Sequence, residues 1–255
     1  MRINVATFGI VLGMLGASAV AQTPDTHPEK MEEPADWSLT EDLAKAPTFT
    51  FQIAPSLPEF TFKVVPDLRE PDPGGNAQSV VQSVLVYSPA SNGPSQSLQG
   101  CGWNEMAPPP AHSDWFRAED FNFDGYLDIY ALTSWGATGN SFGCVWLFDA
   151  ESSRFIYSKE LSDNLCQYRL DAKSKTIFTF ENGGAAGQEH SARTYLVDRG
   201  HLVLVWSEMQ EWVEEKKQFH CVIKERRGKD FQVVRDAFGG PNDSGPPCDP
   251  AALFR

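Results

Sequence analysis

Trp115-Phe116-Arg117-Ala118-Glu119-Asp120-Phe121-Asn122-Phe123-Asp124-Gly125-Tyr126-Leu127-Asp128-Ile129-Tyr130 is the stretch that decides the fold. Side-chain oxygens recur at Asp120, Asn122, Asp124 and Asp128, the first, third, fifth and ninth positions of a loop. Gly125 stands sixth, where the chain must turn sharply, and Tyr126 seventh, where a backbone carbonyl serves. This is the ligand series of a calcium loop: Ca2+ takes six to eight hard oxygen donors, three carboxylates neutralise its charge and Asn122 adds a neutral oxygen. The twelfth position is Ala131 where an EF-hand carries Glu, and the flanks read as strands rather than helices. The loop is therefore expected to join two strands, with Asp128 as the late carboxylate. A loop whose ligands are nearly all protein oxygens leaves little room for a substrate, so the ion is read as structural rather than catalytic. The alternative is a plain acidic turn in which Asp124-Gly125 only closes the hairpin.

Working outward, Phe49, Phe51 and Ile53 alternate with Thr48, Thr50 and Gln52, and Phe60, Phe62 and Val64 with Glu59, Thr61 and Lys63. A period of two marks half-buried strands. Further strands are expected over residues 80–87, 115–119, 127–132, 144–148, 155–159, 175–180, 194–197, 202–206, 219–223 and 231–234, separated by loops rich in Gly, Asn, Asp and Ser. The fold class that follows is all-β, antiparallel hairpins in a small β-propeller-like or sandwich arrangement around a calcium-binding hairpin loop. Integrin-type β-propeller calcium loops resemble the arrangement. Val145-Trp146-Leu147-Phe148 and Leu202-Val203-Leu204-Val205-Trp206 are apolar on both faces and are assigned to central strands covered on both sides. No amphipathic helix competes, apart from a turn near residues 211–217.

The ends read differently. Met1-Arg2, an apolar run over residues 5–15 and Ala19-Val20-Ala21 form a signal peptide over residues 1–21. The run is too short for a permanent membrane span, which needs about 20 residues, so no stable membrane insertion is expected. Residues 22–45, polar and rich in acid and Pro, read as a disordered leader. Residues 46–237 form one β domain, and residues 238–255 a loosely packed tail that Cys248 could pin. The chain should be periplasmic or secreted, and its five Cys fit two disulfides and one thiol, with the pairing open.

The net charge of -13 repels nucleic acid and favours cationic partners or metal ions. His27, His112, His190, His201 and His220 are scattered, no G-x-S-x-G or phosphate-binding glycine loop occurs, and acids such as Glu208 and Glu211 read as a solvated face. The chain is therefore read as a binding protein and not an enzyme. Two segments offer a partner-binding surface: Trp135, Thr138, Gly139, Asn140, Ser141 and Phe142 just after the calcium hairpin, and Asn182, Gly183, Gly184 and Gln188 in a stretch of Gly, Ala and polar residues. Small residues let a loop enter a cleft, and the acids around them suit a basic partner. The competing reading is that both are ordinary flexible connections.

The order of these steps carries a resemblance. The block from Asp120 to Asp128, then Gly139-Asn140, Trp146-Leu147-Phe148-Asp149, Phe155, Glu160-Leu161-Ser162 and Gly200-x-Leu202-Val203-Leu204-Val205 is similar to the periplasmic immunity proteins of the Xanthomonas type IV killing system. These resemble periplasmic lysozyme inhibitors in a small β-propeller-like fold, and the likeness covers residues 80–205. It implies a protein that occupies the cleft of a lysozyme-like peptidoglycan hydrolase. Inhibitors of that kind carry a Ser-Gly-x-x-Tyr step, whose nearest match here is Thr138-Gly139-Asn140-Ser141-Phe142, with both ends replaced. The alternative function is a structural or carbohydrate-binding envelope protein without inhibitory activity, with Trp103 or Trp135 stacking on sugar.

Overall fold

The computed structural model describes residues 47–69, 78–89, 92–101, 115–136, 138–184, 188–240 and 248. Residues 1–45, read above as a signal peptide and leader, lie outside them, as does Trp103.

Alternation does what it predicts at the start of the chain. Strands β1 (Thr48–Gln52) and β2 (Glu59–Arg69) pair antiparallel with Phe49 opposite Phe62 and Phe51 opposite Phe60. Phe60, Phe62 and Val64 are buried while the intervening Glu59 and Lys63 face solvent. Strands β3 (Gln78–Tyr87) and β4 (Gln96–Leu98) complete a first sheet in the order β1-β2-β3-β4. A second sheet runs β5 (Phe116–Glu119), β6 (Asp128–Trp135), β7 (Ser141–Asp149), β8 (Arg154–Tyr157). The third contains β9 (Arg169–Asp171), β10 (Thr176–Gly184), β11 (Glu189–Asp198), β12 (His201–Val213), β13 (Gln218–Arg227) and β14 (Asp230–Gly239), again in chain order. The protein is all-β: three antiparallel meanders in a sandwich-like arrangement, none closed into a barrel among the described residues.

The first two sheets share an aromatic core. Phe62 and Phe155 meet edge to face at 5.3 Å between ring centroids, Phe60 and Phe148 at 5.8 Å, and Phe49 lies 4.9 Å from Phe116. Such pairs each contribute about 0.5–1.5 kcal/mol beyond the area they bury. Between β4 and β8 a side chain replaces a ladder: Phe155 N donates to Gln96 Oε1 at 2.9 Å, and Gln96 Nε2 donates back to the Phe155 carbonyl. Trp146 Nε1 donates to the Gln99 carbonyl at 2.8 Å and the Cys101–Cys144 disulfide closes the same seam. The third sheet joins this core through Ile177 and Val197, with Leu170 and Leu202 packed beside them.

Three expectations are corrected. A short helix α1 (Lys159–Asn164) follows β8, where a strand was expected to run on to Lys159. Ser158 caps it by accepting from Leu161 N, and Ser162 Oγ in turn accepts from Val145 N, so the helix is welded to β7. Six residues are too few to show a helical period. Residues 202–206 are half-buried rather than covered on both faces, because the third sheet extends beyond the core: β14 is exposed along nearly its whole length. Phe238 and Gly239 belong to β14 rather than to a tail. Cys248 is buried and bonded to Cys221, which leaves Cys166 as the free thiol, buried, with its pKa pushed up by that burial to about 11. Among the described residues no helix is long and apolar enough to cross a membrane.

Candidate metal centre

The register pairing Glu119 with Asp128 closes the β5–β6 hairpin, so the intervening residues form its loop, as the flanking pattern predicts. Phe123 (φ 57°) and Gly125 (φ 93°) both take left-handed backbone. A Cβ at Gly125 would meet nothing, so the glycine is required by conformation and not by space. The acids turn onto the amides of their own loop. Asp120 Oδ1 accepts from Asp124 N at 3.1 Å and Oδ2 from Gly125 N at 3.0 Å; Asn122 Oδ1 also accepts from Asp124 N, and Asp124 Oδ1 accepts from Tyr126 N at 2.9 Å. Asn122 Nδ2 donates to Asp124 Oδ2 at 2.8 Å. Phe121, fully buried, anchors the loop between Tyr130 and Tyr168, at 6.1 and 5.1 Å. Leu127 N donates to the Ile53 carbonyl at 2.8 Å and ties the loop to the end of β1.

Asp128 is different in kind. Its side chain has no exposed surface, and each oxygen accepts one backbone amide: Oδ2 from Phe121 and Oδ1 from Phe148 in β7, both at 2.8 Å. Burial outweighs those two amides, and the nearby Asp124 and Asp120 add to it, so its carboxyl is pushed up to about 7. Among the described residues no Lys, Arg or His forms an ion pair with Asp120, Asp124 or Asp128. Lys175 Nζ instead donates to the Phe123 carbonyl at 3.4 Å. The donor set fits calcium chemically: carboxylates of Asp120, Asp124 and Asp128, the amide oxygen of Asn122 and the carbonyl of Tyr126 are all hard oxygens. Each Asp128 oxygen keeps a second lone pair after its single hydrogen bond. Beside the loop an open cleft of about 610 Å³ is lined by Arg117, Glu119, Asp120, Phe123, Tyr168 and Arg169. Arg117 pairs with Glu119 at 3.0 Å and donates to Tyr168 Oη at 2.6 Å.

The two segments singled out as a partner surface come together through their described residues. Ser141 and Phe142 begin β7, Trp135 ends β6, and Asn182, Gly183 and Gly184 end β10. Asn140, buried, binds Asn182 through both ends of its amide: Oδ1 accepts from Asn182 N at 2.8 Å and Nδ2 donates to the Asn182 carbonyl at 2.9 Å. The same Oδ1 accepts from Gln167 Nε2 at 2.9 Å, and Asn182 Nδ2 donates to the Thr138 carbonyl at 3.2 Å. Gly139 turns with φ 84° and Gly184 N is held on Asn182 Oδ1 at 3.2 Å. Thr138, Phe142 and Gly183 stay exposed around this joint, while the Gln188 carbonyl faces inward and accepts from Gln210 Nε2 at 2.6 Å.

No protein-family model and no curated protein matches the chain. Among solved structures, one described as a Xanthomonas type IV secretion system related protein is similar over 76% of this chain and 95% of that one, with a TM-score of 0.49 and 18% identity.

A second cluster had no sequence signal strong enough to find it. His190, one of the five scattered histidines, and Glu208, read from the sequence as part of a solvated face, are both buried and meet at 2.8 Å. With Cys248 they form a group whose candidate ligand atoms lie within 4.8 Å of one another. The three lie on separate segments, so no spacing motif links them. Alternation within β11 and β12 places them correctly only once the register is known.

Proposed function

We propose that this protein is exported to the periplasm or beyond, that residues 120–128 bind one structural calcium ion, and that it acts by binding a protein rather than by catalysis. Asp120, Asn122, Asp124 and Asp128 would hold the ion with the Tyr126 carbonyl. Calcium there supplies positive charge that fixes the β5–β6 hairpin. The observation that carries the reading is Asp128: a carboxylate with no exposed surface, beside two more, with no cationic side chain paired to any of them among the described residues. Burying such a group uncompensated is costly, and a divalent ion removes the cost.

Export is supported by the signal-like first residues and by two disulfides, which persist in oxidising compartments. A binding role is supported by the joint between Asn140 and Asn182, which presents Thr138, Phe142 and Gly183 on a fixed frame. The partner proposed is a cationic, lysozyme-like peptidoglycan hydrolase, drawn to a chain of net charge -13 at a rate that falls with added salt.

The test is calorimetric titration of EDTA-stripped protein with calcium, followed by a lysozyme-inhibition assay on the same sample. One saturable site that is lost in Asp120→Ala and raises the melting temperature is the expected result. Absence of binding sinks the calcium reading, and calcium binding without inhibition moves the partner to another protein of the envelope.

A further inference from the structure

The third sheet carries a second group of ligand atoms, remote in chemistry from the calcium loop and sharing no residue with it. In the register of β11, β12 and β13, His190 pairs with Gln210 and Gln210 with Cys221; Glu208 is two residues from Gln210 and so lies on the same face. Cys248 is brought onto that face by its disulfide to Cys221 and by its amide, which donates to Gln210 Oε1 at 2.8 Å. A ring nitrogen of His190, a carboxylate oxygen of Glu208 and Cys248 Sγ lie within 4.8 Å of one another, and Cys221 Sγ is bonded to the last.

One detail marks this as more than a packed core. The His190 side chain has no exposed surface, its Nε2 faces Glu208 Oε1 at 2.8 Å, and its Nδ1 has no hydrogen-bond partner among the described residues. An unsatisfied buried nitrogen costs roughly 1–3 kcal/mol, and the cost is avoidable by any ligand that takes its lone pair. A carboxylate on the far nitrogen is also how proteins orient a metal-binding imidazole, since it fixes the tautomer and raises the basicity of the other nitrogen.

We propose that this is a redox-gated site for a thiophilic divalent cation, Zn2+ by preference, formed when the Cys221–Cys248 disulfide is reduced. A dithiol supplies two electrons and two protons: the S–S bond breaks, two protein thiols form and the dithiol closes to its own disulfide. Zn2+ then binds both sulfurs as thiolates with release of two protons, and takes the His190 Nδ1 lone pair as a third ligand. Glu208 is the positioning residue, holding the ring by Nε2, and the fourth position falls to water. The ion would then clamp Cys248 to β13 where the disulfide did before, so Cys248 stays attached in both redox states. Three oxygen-ligated carboxylates of the calcium loop cannot produce the thiolate signature of this site, so the two readings fail separately.

The experiment is cobalt titration of the full chain under anaerobic conditions, once with the disulfide intact and once after reduction by a phosphine, which adds no competing thiol. Reduction is expected to give one equivalent of Co2+ with a thiolate-to-metal charge-transfer band and tetrahedral d–d bands, displaced by Zn2+; the oxidised chain should show neither. Cys166→Ala should keep the signal, and Cys248→Ser should lose it without a new folding defect, because the reduced chain has no disulfide to lose. Glu208→Gln should weaken binding by about 10–100-fold. Absence of the band in the reduced chain, folded or not, overturns the proposal, as does a band that survives Cys248→Ser.

Discussion

At the scale of the residue, Asp128 joins the loop's chemistry to the core. Its unperturbed pKa would be near 3.9, and in the folded, calcium-free protein burial, aided by Asp124 and Asp120, pushes it up to about 7. The folded state therefore holds this proton more tightly than the unfolded state does. The resulting stabilisation is fully present below about pH 4 and is lost as pH rises through about 7. EDTA-treated protein should thus show a falling urea midpoint between about pH 4 and 7, and calcium should abolish that slope because the ion keeps the carboxylate ionised. Calcium affinity should rise about tenfold per pH unit up to about pH 7 and then level, since one proton competes for the site. A calcium-free midpoint that is flat across this range would remove Asp128 as the cause. Asn140 makes a different kind of joint. Asn140→Ala strands the amide and carbonyl of Asn182 together with Gln167 Nε2, and should destabilise the fold by about 2–3 kcal/mol in urea unfolding. Asn140→Asp should not rescue it, because a carboxylate oxygen then faces the Asn182 carbonyl.

At the scale of the element, close approach decides what alternation cannot. Gly143 sits in β7 opposite Leu132, and a Cβ there would fall 2.6 Å from the Ala131 carbonyl and onto the Tyr130 ring. Tyr130 is buried against Phe121 and Tyr168, which anchor the loop. Gly143→Ala should therefore cost about 1–3 kcal/mol through overpacking and should weaken calcium binding as well, both readable by thermal and calcium titration. Little of this was visible in the chain alone. Strands β1 and β2 were legible because Phe and Val alternate with Thr, Glu and Lys at a period of two, and the loop because its oxygens recur at fixed spacing. The helix Lys159–Asn164 was not, since one and a half turns leave no period and its stability comes from Ser158 and Ser162 bonding to β7. The exposure of β12 was not, because hydrophobicity on both faces says nothing of how far a sheet overhangs its core. Which cysteines pair, and that Asn140 meets Asn182, depend on contacts between segments distant in sequence, which no local pattern encodes.

At the scale of the whole molecule, the loop over residues 120–128 is a junction between sheets. Phe148 N reaches Asp128 from β7, Leu127 N reaches Ile53 beyond β1, and the Tyr126 ring packs 5.5 Å from Phe148, itself in the aromatic core shared with Phe60 and Phe155. An ion that fixes this loop therefore fixes contacts of the first sheet with the second, whereas the third sheet meets them through a different set of residues. Removing calcium should lower stability unevenly. In hydrogen exchange, the amides of Phe121, Leu127 and Phe148 should lose protection in EDTA, while those pairing β12 with β13 should change little. Chelation with uniform loss of protection would mean that the ion holds the global fold; chelation with no change at Phe148 would mean that the buried Asp128 is satisfied by its two amides alone, and the loop would then be only a tight acidic turn.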